Sequence, residues 1–402
     1  MAAERLGNRR RRRRRRAAAG HCLGRVSGAP AGAADPYRAC GSAPGVRRRQ
    51  YRTLPIGRTP GQRQAGRLRY RVRNLRRRAH RNARRCRVLR RGRRRGHSGV
   101  SSFEPVAIVG RSCVLPGAST PEELFDASLS GRCLLTPTPR DRWRGVDPGK
   151  LRASDKPGLR VASATGGYVD TSFDLSQFAA RIPDFDQLDP IVPWLAQCAQ
   201  QALGGPLAAP RTGLIVGNLS YPSTMGTAFV EAFWTGKGND DPRNRFSSGL
   251  PVHLVAGTME MNGPVFALDA ACASSLYAIK LACDALHDGD ADVMLAGGVN
   301  GSDDLFLHLG FTSLQALSPS GQSRPFHAEA DGLVPSQGAA LVALKRLSDA
   351  ERAGDNILGV ILGVGLSNDG RQSGFLAPAV GGQTRAMLSA LEQAGLTPPT
   401  ST

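Results

Sequence analysis

The chain has 402 residues, enough for two or three domains, and its formal net charge is +22. This charge comes from residues 1–100, which hold 33 Arg, no Lys and two acidic residues, whereas the rest of the chain carries 21 basic and 30 acidic residues. The remainder is therefore mildly acidic, which excludes a basic surface along the whole chain. The sequence contains no run of 18 apolar residues, so it predicts no membrane span. The apolar core of a secretory signal is also absent.

Cysteine usage points to a reducing compartment. The eight cysteines are scattered, with no C-x-x-C pair and no clustering with the seven histidines. The pattern therefore predicts no metal site. In a chain of this length, such cysteines are typical of a cytoplasmic protein.

Residues 1–99 are of low complexity and are dominated by arginine, as in the run Arg9–Arg16. Apolar periodicity is missing, which predicts disorder. Three interpretations stay open: an arm that attracts nucleic-acid phosphates, an organelle transit peptide, and translation of a GC-rich message outside a selected reading frame. Few aromatic residues could stack on bases, and the segment is neither amphipathic nor rich in serine. We favour the third interpretation.

Residues 104–347 alternate predicted strands and helices. Apolar runs that are short and rich in β-branched residues indicate buried strands. Alternation of this kind predicts an α/β fold with a mostly parallel sheet that helices cover on both faces. The predicted strands are Val106–Val109, Gly213–Gly217, Val265–Leu268, Asp292–Ala296 and Gly338–Lys345.

Residues 356–395 hold one further apolar run and one further predicted helix. The apolar run Asn356–Leu366 is expected to lie in a core, and residues 383–395 predict a helix. Met387 and Leu388 lie on the apolar side of that helix.

Cys272 lies where a predicted strand turns into a predicted helix. Apolar residues recur behind it at helical spacing, at Leu276, Ile279, Cys283 and Leu286. The unpaired N–H groups and the positive dipole at the start of a helix favour a thiolate. This arrangement is typical of an activated nucleophile, although a cysteine in an apolar stretch is more often a core residue.

Asp269, three residues before Cys272, has two interpretations. Its carboxylate could orient the turn, or it could serve only as an acidic residue before the N-terminus of the helix.

The segment from Gly263 to Leu276 resembles the active-site signature of the β-ketoacyl synthases, the condensing enzymes of fatty-acid and polyketide synthesis. Other segments resemble the same family in the same order, and the synthases of type I polyketide and polyunsaturated fatty-acid assembly are the most similar kind. The resemblance covers residues 104–396. These segments begin at Pro105, Cys113, Pro121, Pro139, Ala296, Ser323, Ala330, Ala343 and Ser367.

The resemblance implies an α/β fold of the thiolase type, in which two similar halves stack into five alternating layers of helix and sheet. It implies an N-terminal domain over residues 104–347 and the start of a C-terminal domain over residues 355–402, so we expect a complete first half and a truncated second half. It also implies a homodimer, an acyl carrier protein as partner, and no cofactor besides the phosphopantetheine that carries the substrates. Neither a membrane nor a nucleic acid is expected as a partner.

The resemblance further implies that Cys272 accepts an acyl group and that a decarboxylated malonyl-type extender then attacks it, with the backbone N–H of Cys272 as an oxyanion donor. In the family, histidines in His-Gly-Thr-Gly and Asn-x-Gly-His motifs assist the second step, and neither motif occurs here. We therefore expect a chain cut before its acid–base residues. The alternative is a non-catalytic synthase relic that at most acylates itself.

Several other residues have open interpretations. His253, His287 and His327 are expected to be solvated, packed or in loops rather than catalytic. Gln337 stands where the family commonly has Glu. The segment from Arg140 to Trp143 could contact a carrier protein or form a surface loop.

Overall fold

The computed structural model describes residues 103–140, 142–156, 158–205, 211–370 and 378–398. The predictions for residues 1–99 lie outside these ranges. The described residues all belong to one compact unit, residues 97–402. Within the described ranges, no helix combines the length and the apolar character that a membrane span requires.

A six-stranded sheet forms the centre of the unit, and two short strands pair separately. The strand order in the large sheet is β5-β4-β6-β7-β1-β8, and β2 pairs with β3. The strands are β1 (Val106–Val114), β2 (Thr136–Pro137), β3 (Thr165–Gly166), β4 (Thr212–Asn218), β5 (Val265–Leu268), β6 (Val293–Asn300), β7 (Gly338–Arg346) and β8 (Gly359–Ile361).

All five predicted strands are present, but the prediction of a mostly parallel sheet was wrong. β4 pairs in parallel with β5 and with β6. By contrast, β7 is antiparallel to both β6 and β1, and β8 is antiparallel to β1. The first residue of β7, Gly338, pairs with the last residue of β6, Asn300. The chain therefore re-enters the sheet beside the end of β6, so β7 must run antiparallel to β6.

Helices cover both faces of the sheet, as predicted. The α-helices of the described ranges are α1 (Pro121–Leu129), α2 (Pro148–Arg152), α3 (Ser176–Ala179), α4 (Ile191–Leu203), α5 (Thr224–Thr235), α6 (Leu250–Thr258), α7 (Ser274–His287), α8 (Asp304–Ser313), α9 (Leu347–Ala353) and α10 (Val380–Gln393).

Each face of the sheet has its own apolar core. On one face, α4 and α6 bury Leu195 and Val255 against Leu214, Leu295 and Leu341 of the sheet. On the other face, α7 buries its small residues against the sheet side chains Ile215, Met294 and Leu344. Burial of apolar side chains on this scale is the main stabilising term of such a three-layer unit.

Local signals in the sequence explain where several helices begin. The N-cap residue Thr120 accepts a hydrogen bond from the N–H of Glu123, and Glu123 accepts one from the N–H of Ser119, so both ends of this turn before α1 are held by side chains. Asp303 caps α8 through the N–H of Phe306. At the end of α4, Gly204 adopts a left-handed conformation that ends the helix.

The chain passes from β5 through α7 to β6 as a parallel crossover. Both strands pair with β4, so α7 crosses above β4 and contacts β4 and β6. The prediction that the strand before Cys272, the helix after it and the next strand form a βαβ unit is confirmed, with β4 lying between the two outer strands. This connection fixes the position of the turn that carries Cys272.

The predicted buried side of α7 is confirmed at Ile279, Cys283 and Leu286 but not at Leu276. Leu276 is 58% exposed, whereas the residues against the sheet are small, such as Ala278 and Ala282. Two sheet glycines explain the difference. A Cβ on Gly217 would lie 2.6 Å from the carbonyl carbon of Ser274, and one on Gly298 would lie 3.2 Å from the Cβ of Ser275. The start of the helix therefore lies so close to the sheet that only small side chains fit between them.

The segment after α9 adds one strand and one helix. The predicted helix is present as α10, but Met387 and Leu388 on its apolar side are exposed. Within the apolar run at residues 356–366, only β8 is a strand, and it pairs with β1 in the same sheet. The prediction of a separate domain over residues 355–402 stays a prediction.

We predict that Gly217→Ala destabilises the protein by about 1–3 kcal/mol, because the added methyl group must displace the start of α7. Gly257→Ala is the matched control, since Gly257 lies in α6 with open space around its Cα. That change should stabilise the helix by about 0.5–1 kcal/mol. Urea unfolding followed by tryptophan fluorescence measures both effects. Equal changes in the free energy of unfolding for the two variants would contradict the close approach of α7.

Candidate active site

The candidate site lies at the carboxyl ends of the neighbouring parallel strands β4 and β5. Crevices outside the carboxyl ends of parallel strands are the usual ligand sites of α/β sheets. Asp269 directly follows β5, and Ser220 lies two residues beyond β4. Cys272 follows on the turn that leads into α7.

Cys272 occupies a single 3₁₀ turn, Ala271–Ala273, between β5 and α7. Its side chain is exposed. The predicted order of strand, turn, cysteine and helix is therefore confirmed, and the alternative of a core cysteine does not hold. Ala271 has φ +50°, the left-handed conformation that residues with a Cβ rarely adopt. The preference of this position for a thiolate stays a prediction.

Asp269 joins the turn to the loop after β4. Its Oδ2 accepts a hydrogen bond from the N–H of Ser220 at 2.8 Å, and its Oδ1 accepts one from the N–H of Ala271 at 2.9 Å. These two amide donors, that of Ser220 above all, lower the pKa of Asp269 below its ordinary value. Of the two interpretations of Asp269, the structure favours the one in which the carboxylate orients the turn.

Ser274 holds the same turn from its other side. Its hydroxyl donates to the carbonyl oxygen of Ala271 at 2.6 Å and accepts from the N–H of Ala270 at 2.9 Å. This role was not predicted from the sequence, although a serine at the start of a helix is known to bond to nearby backbone groups. Ser220 was not predicted either, because it lies 49 positions from Asp269 and gives no local signal.

The other described cysteines differ from Cys272 in burial. Burial raises the pKa of Cys198 and of Cys283 to about 12, and that of Cys113 to about 11. Such thiols are inert packing groups at neutral pH. Cys133 is exposed like Cys272, but it lies in the loop after α1 rather than at the start of a helix.

The described histidines are either exposed to solvent or packed against other residues. His253 is exposed on α6, and His327 lies in an exposed loop, where its Nδ1 accepts the N–H of Glu329. The ring of His287 packs against Phe103. These are the solvated, loop and packed positions that were expected of the three histidines. No hydrogen bond joins a histidine to Cys272 in the part of the chain that the structure describes.

His308 belongs to a buried polar cluster that was not predicted from the sequence. Its Nδ1 lies 3.2 Å from Oδ1 of Asp304, and its Nε2 lies 3.1 Å from the carbonyl oxygen of Thr165. Asp304 also accepts hydrogen bonds from Nε1 of Trp143 at 2.6 Å and from the hydroxyl of Tyr168 at 2.9 Å. Burial lowers the pKa of His308, but the Asp304 carboxylate outweighs it, and the net pKa is raised.

This cluster settles the interpretation of one motif residue. Trp143 is buried, so it is neither a contact for a carrier protein nor part of a surface loop. The Arg142 guanidinium lies 5.4 Å from the centre of the Tyr168 ring, and Arg140 is exposed.

Two further observations concern polar groups. Gln337 is buried, and its Oε1 has no hydrogen-bond partner in the structure. Within the described ranges, no group of three His, Cys, Asp or Glu side chains is placed to hold a metal ion.

Residues 103–350 match the family described as "Beta-ketoacyl synthase, N-terminal domain". The chain is 34% identical over 307 residues to one of the phenolphthiocerol/phthiocerol polyketide synthase proteins of Mycobacterium tuberculosis, and the match covers 73% of this chain and 16% of that protein. It is 36% identical over 304 residues to a mycocerosic acid synthase-like polyketide synthase of the same organism, and this match covers 74% of this chain and 14% of that protein. The chain thus spans only about one-sixth of the length of these curated relatives.

A solved structure shows the same fold. The oxazolomycin ketosynthase domain OzmH KS7 of Streptomyces albus is 31% identical and superposes with a TM-score of 0.64. The match covers 73% of this chain and 52% of that domain. The thiolase-like fold that the motifs implied is confirmed by this likeness.

We predict that iodoacetamide at pH 7 modifies Cys272 about tenfold faster than Cys133, because only Cys272 lies at the start of a helix. Cys198 and Cys283 should stay unmodified, since burial shields them and raises their pKa. Peptide mapping by mass spectrometry measures all four rates in one digest. Equal rates at the two exposed thiols would contradict an activated Cys272.

We predict that the contribution of His308 to stability depends on pH. Because its folded-state pKa lies above 6.5, its ion pair with Asp304 stabilises the fold fully below pH 6.5, and this stabilisation is lost as the pH rises through the folded-state pKa. His308→Gln should therefore lower the free energy of unfolding by more at pH 5.5 than at pH 9, and the two losses should differ by about 1–2 kcal/mol. His253→Gln, at an exposed site, is the control. Urea unfolding at both pH values gives the costs, and a cost independent of pH would contradict the pairing.

Proposed function

This chain belongs to the β-ketoacyl synthase family, and from that premise we propose that it accepts an acyl chain on Cys272 for condensation with a malonyl-type extender. The observation that supports the proposal is the position of Cys272. It is an exposed thiol on the turn between a strand and the helix α7, at the carboxyl edge of parallel strands. A nucleophile in such a position is open to a substrate and lies within the positive field of the helix.

The first step of the proposed reaction is a transthioesterification. The Cys272 thiolate attacks the thioester carbonyl of an acyl group carried on phosphopantetheine. The tetrahedral intermediate collapses with loss of the pantetheine thiolate, which takes up a proton, and leaves an acyl thioester on Cys272. The backbone N–H of Cys272 is the proposed donor to the oxyanion.

The second step forms the carbon–carbon bond. The malonyl-type extender loses carbon dioxide, and the resulting enolate attacks the acyl thioester on Cys272. The cysteine leaves as a thiolate, so the β-ketoacyl product stays on the carrier of the extender and Cys272 is free again. Because the two relatives above are named polyketide synthases, we propose polyketide assembly as the setting.

We propose an acyl carrier protein and a second copy of the chain as partners. The carrier follows from the proposed chemistry, since both acyl groups arrive as thioesters of a tethered thiol, and no other cofactor is needed. The second copy is supported by β5, which lies at the edge of the sheet and exposes 36% of Phe266. An uncovered sheet edge is a surface on which another strand can pair. The free cysteines support a cytoplasmic location.

We predict that hexanoyl-pantetheine acylates the chain once, at Cys272, which mass spectrometry of a protein digest detects as a hexanoyl mass increment. Cys272→Ala should abolish this increment, because a neighbouring thiol cannot take over a position fixed by the turn. Cys133→Ala is the matched control, since it removes the other exposed thiol of the described residues without changing the site.

Loading and condensation are separated by adding malonyl-pantetheine to the acylated protein. Release of a β-ketoacyl thioester supports the complete reaction, whereas stable loading without release supports the acyl-accepting step alone. Acylation that persists in Cys272→Ala, or that Cys133→Ala removes, would refute Cys272 as the nucleophile.

A further inference from the structure

The residue before the nucleophile has an unfavourable backbone conformation. Ala271 has φ +50°, although an alanine gains no compensation from its side chain for this conformation. Such residues persist only where the surrounding contacts determine them, and they are concentrated at functional sites. The contacts that hold Ala271 therefore bear on the orientation of Cys272.

Two side chains fix the peptide groups on either side of Ala271. The Asp269 carboxylate accepts the N–H of Ala271, which belongs to the peptide group before it. The Ser274 hydroxyl donates to the carbonyl oxygen of Ala271, which belongs to the peptide group after it. Since a trans peptide group is planar, fixing the carbonyl oxygen of Ala271 also fixes the direction of the N–H of Cys272.

Asp269 also anchors the turn to a second element. Its other oxygen accepts the N–H of Ser220 in the loop after β4. That loop is held in turn, because Pro222 accepts the N–H of Asp303 and Ser223 forms a β-bridge with Ser302. The turn that carries the nucleophile is thus fixed relative to the sheet rather than only within itself.

We propose that Asp269, together with Ser274, is a positioning residue that fixes the turn so that the N–H and the thiol of Cys272 act on the same acyl carbonyl group. This inference rests on the proposed function, because it concerns the geometry of acyl transfer. Neither side chain reacts with the substrate. Both act through the backbone of Ala271 and Cys272.

The test compares two reactions of the same thiol. Acylation by hexanoyl-pantetheine needs the thiol and the oxyanion donor to reach the same carbonyl group, whereas alkylation by iodoacetamide needs only an accessible thiol. In Asp269→Asn, the amide keeps the shape of the side chain but offers a donor where one backbone N–H needs an acceptor. We expect acylation to fall by about 10- to 100-fold, while alkylation changes by less than about threefold.

Two controls make the result specific. Asp284→Asn makes the same chemical change on the surface of α7, where Asp284 pairs with Lys280, and it should leave the ratio of the two rates unchanged. Protection of Cys198 and Cys283 from alkylation shows in the same digest that a variant is folded. If Asp269→Asn exposes those thiols, Ser274→Ala replaces it, and the same fall in acylation is expected.

The possible outcomes distinguish the inference from the function on which it rests. Loss of acylation with alkylation retained supports the inference. Equal acylation of the variant and the unchanged protein would overturn it and would leave Asp269 as an ordinary acidic residue before a helix. If the unchanged protein is alkylated at Cys272 but accepts no acyl group, the proposed function fails, and the positioning role fails with it.

Discussion

The close approach of α7 to the sheet is the constraint on which the rest of the site depends. Gly217 of β4 and Gly298 of β6 leave the space that the first turn of the helix occupies. Ala278 and Ala282 continue the narrow contact along the helix. Because interiors are packed to crystal-like density, one added methyl group in such a contact must move the helix or the strand. The contact therefore fixes the position of Cys272 relative to the carboxyl ends of the parallel strands.

Two sets of polar groups in the unit have different roles. Around Cys272, the carboxylate of Asp269 and the hydroxyl of Ser274 form hydrogen bonds with backbone groups of a strained turn. Around Asp304, a buried carboxylate is paired with Trp143 and His308, which avoids the cost of a buried charge without partners. The second set explains why part of the motif from Pro139 to Trp143 has a physical role in the fold rather than in the chemistry.

The features that depend on neighbouring residues could be predicted from the sequence. Val265–Leu268 has the same bounds in the structure as in the prediction, because a short apolar run between turn residues is a local signal. The direction of β7 was not predictable, since an apolar run has the same pattern read either way. Leu276 was assigned to the wrong side of α7 because helical spacing identifies apolar residues but does not show that glycines in two distant strands select small ones.

The candidate site shows the same limit. Cys272 and its place between strand and helix follow from consecutive residues, so the sequence sufficed. The bond from Asp269 to the N–H of Ser220 depends on β4 and β5 being neighbours, which no local pattern encodes. The left-handed conformation of Ala271 was equally hidden, because alanine carries no signal for it.

The exposed apolar residues of α7 have an explanation in the fold family. Leu276 and Leu281 lie on α7 away from the small residues that face the sheet. A helix with apolar residues on more than one side is typical of a layer that is covered from both directions. The five-layer arrangement of the thiolase type has a helical layer at its centre, and α7 has the composition that such a layer requires. The side of α7 that faces the sheet fixes the position of Cys272 relative to the strands. The opposite side of the helix carries the apolar surface against which a further layer would pack.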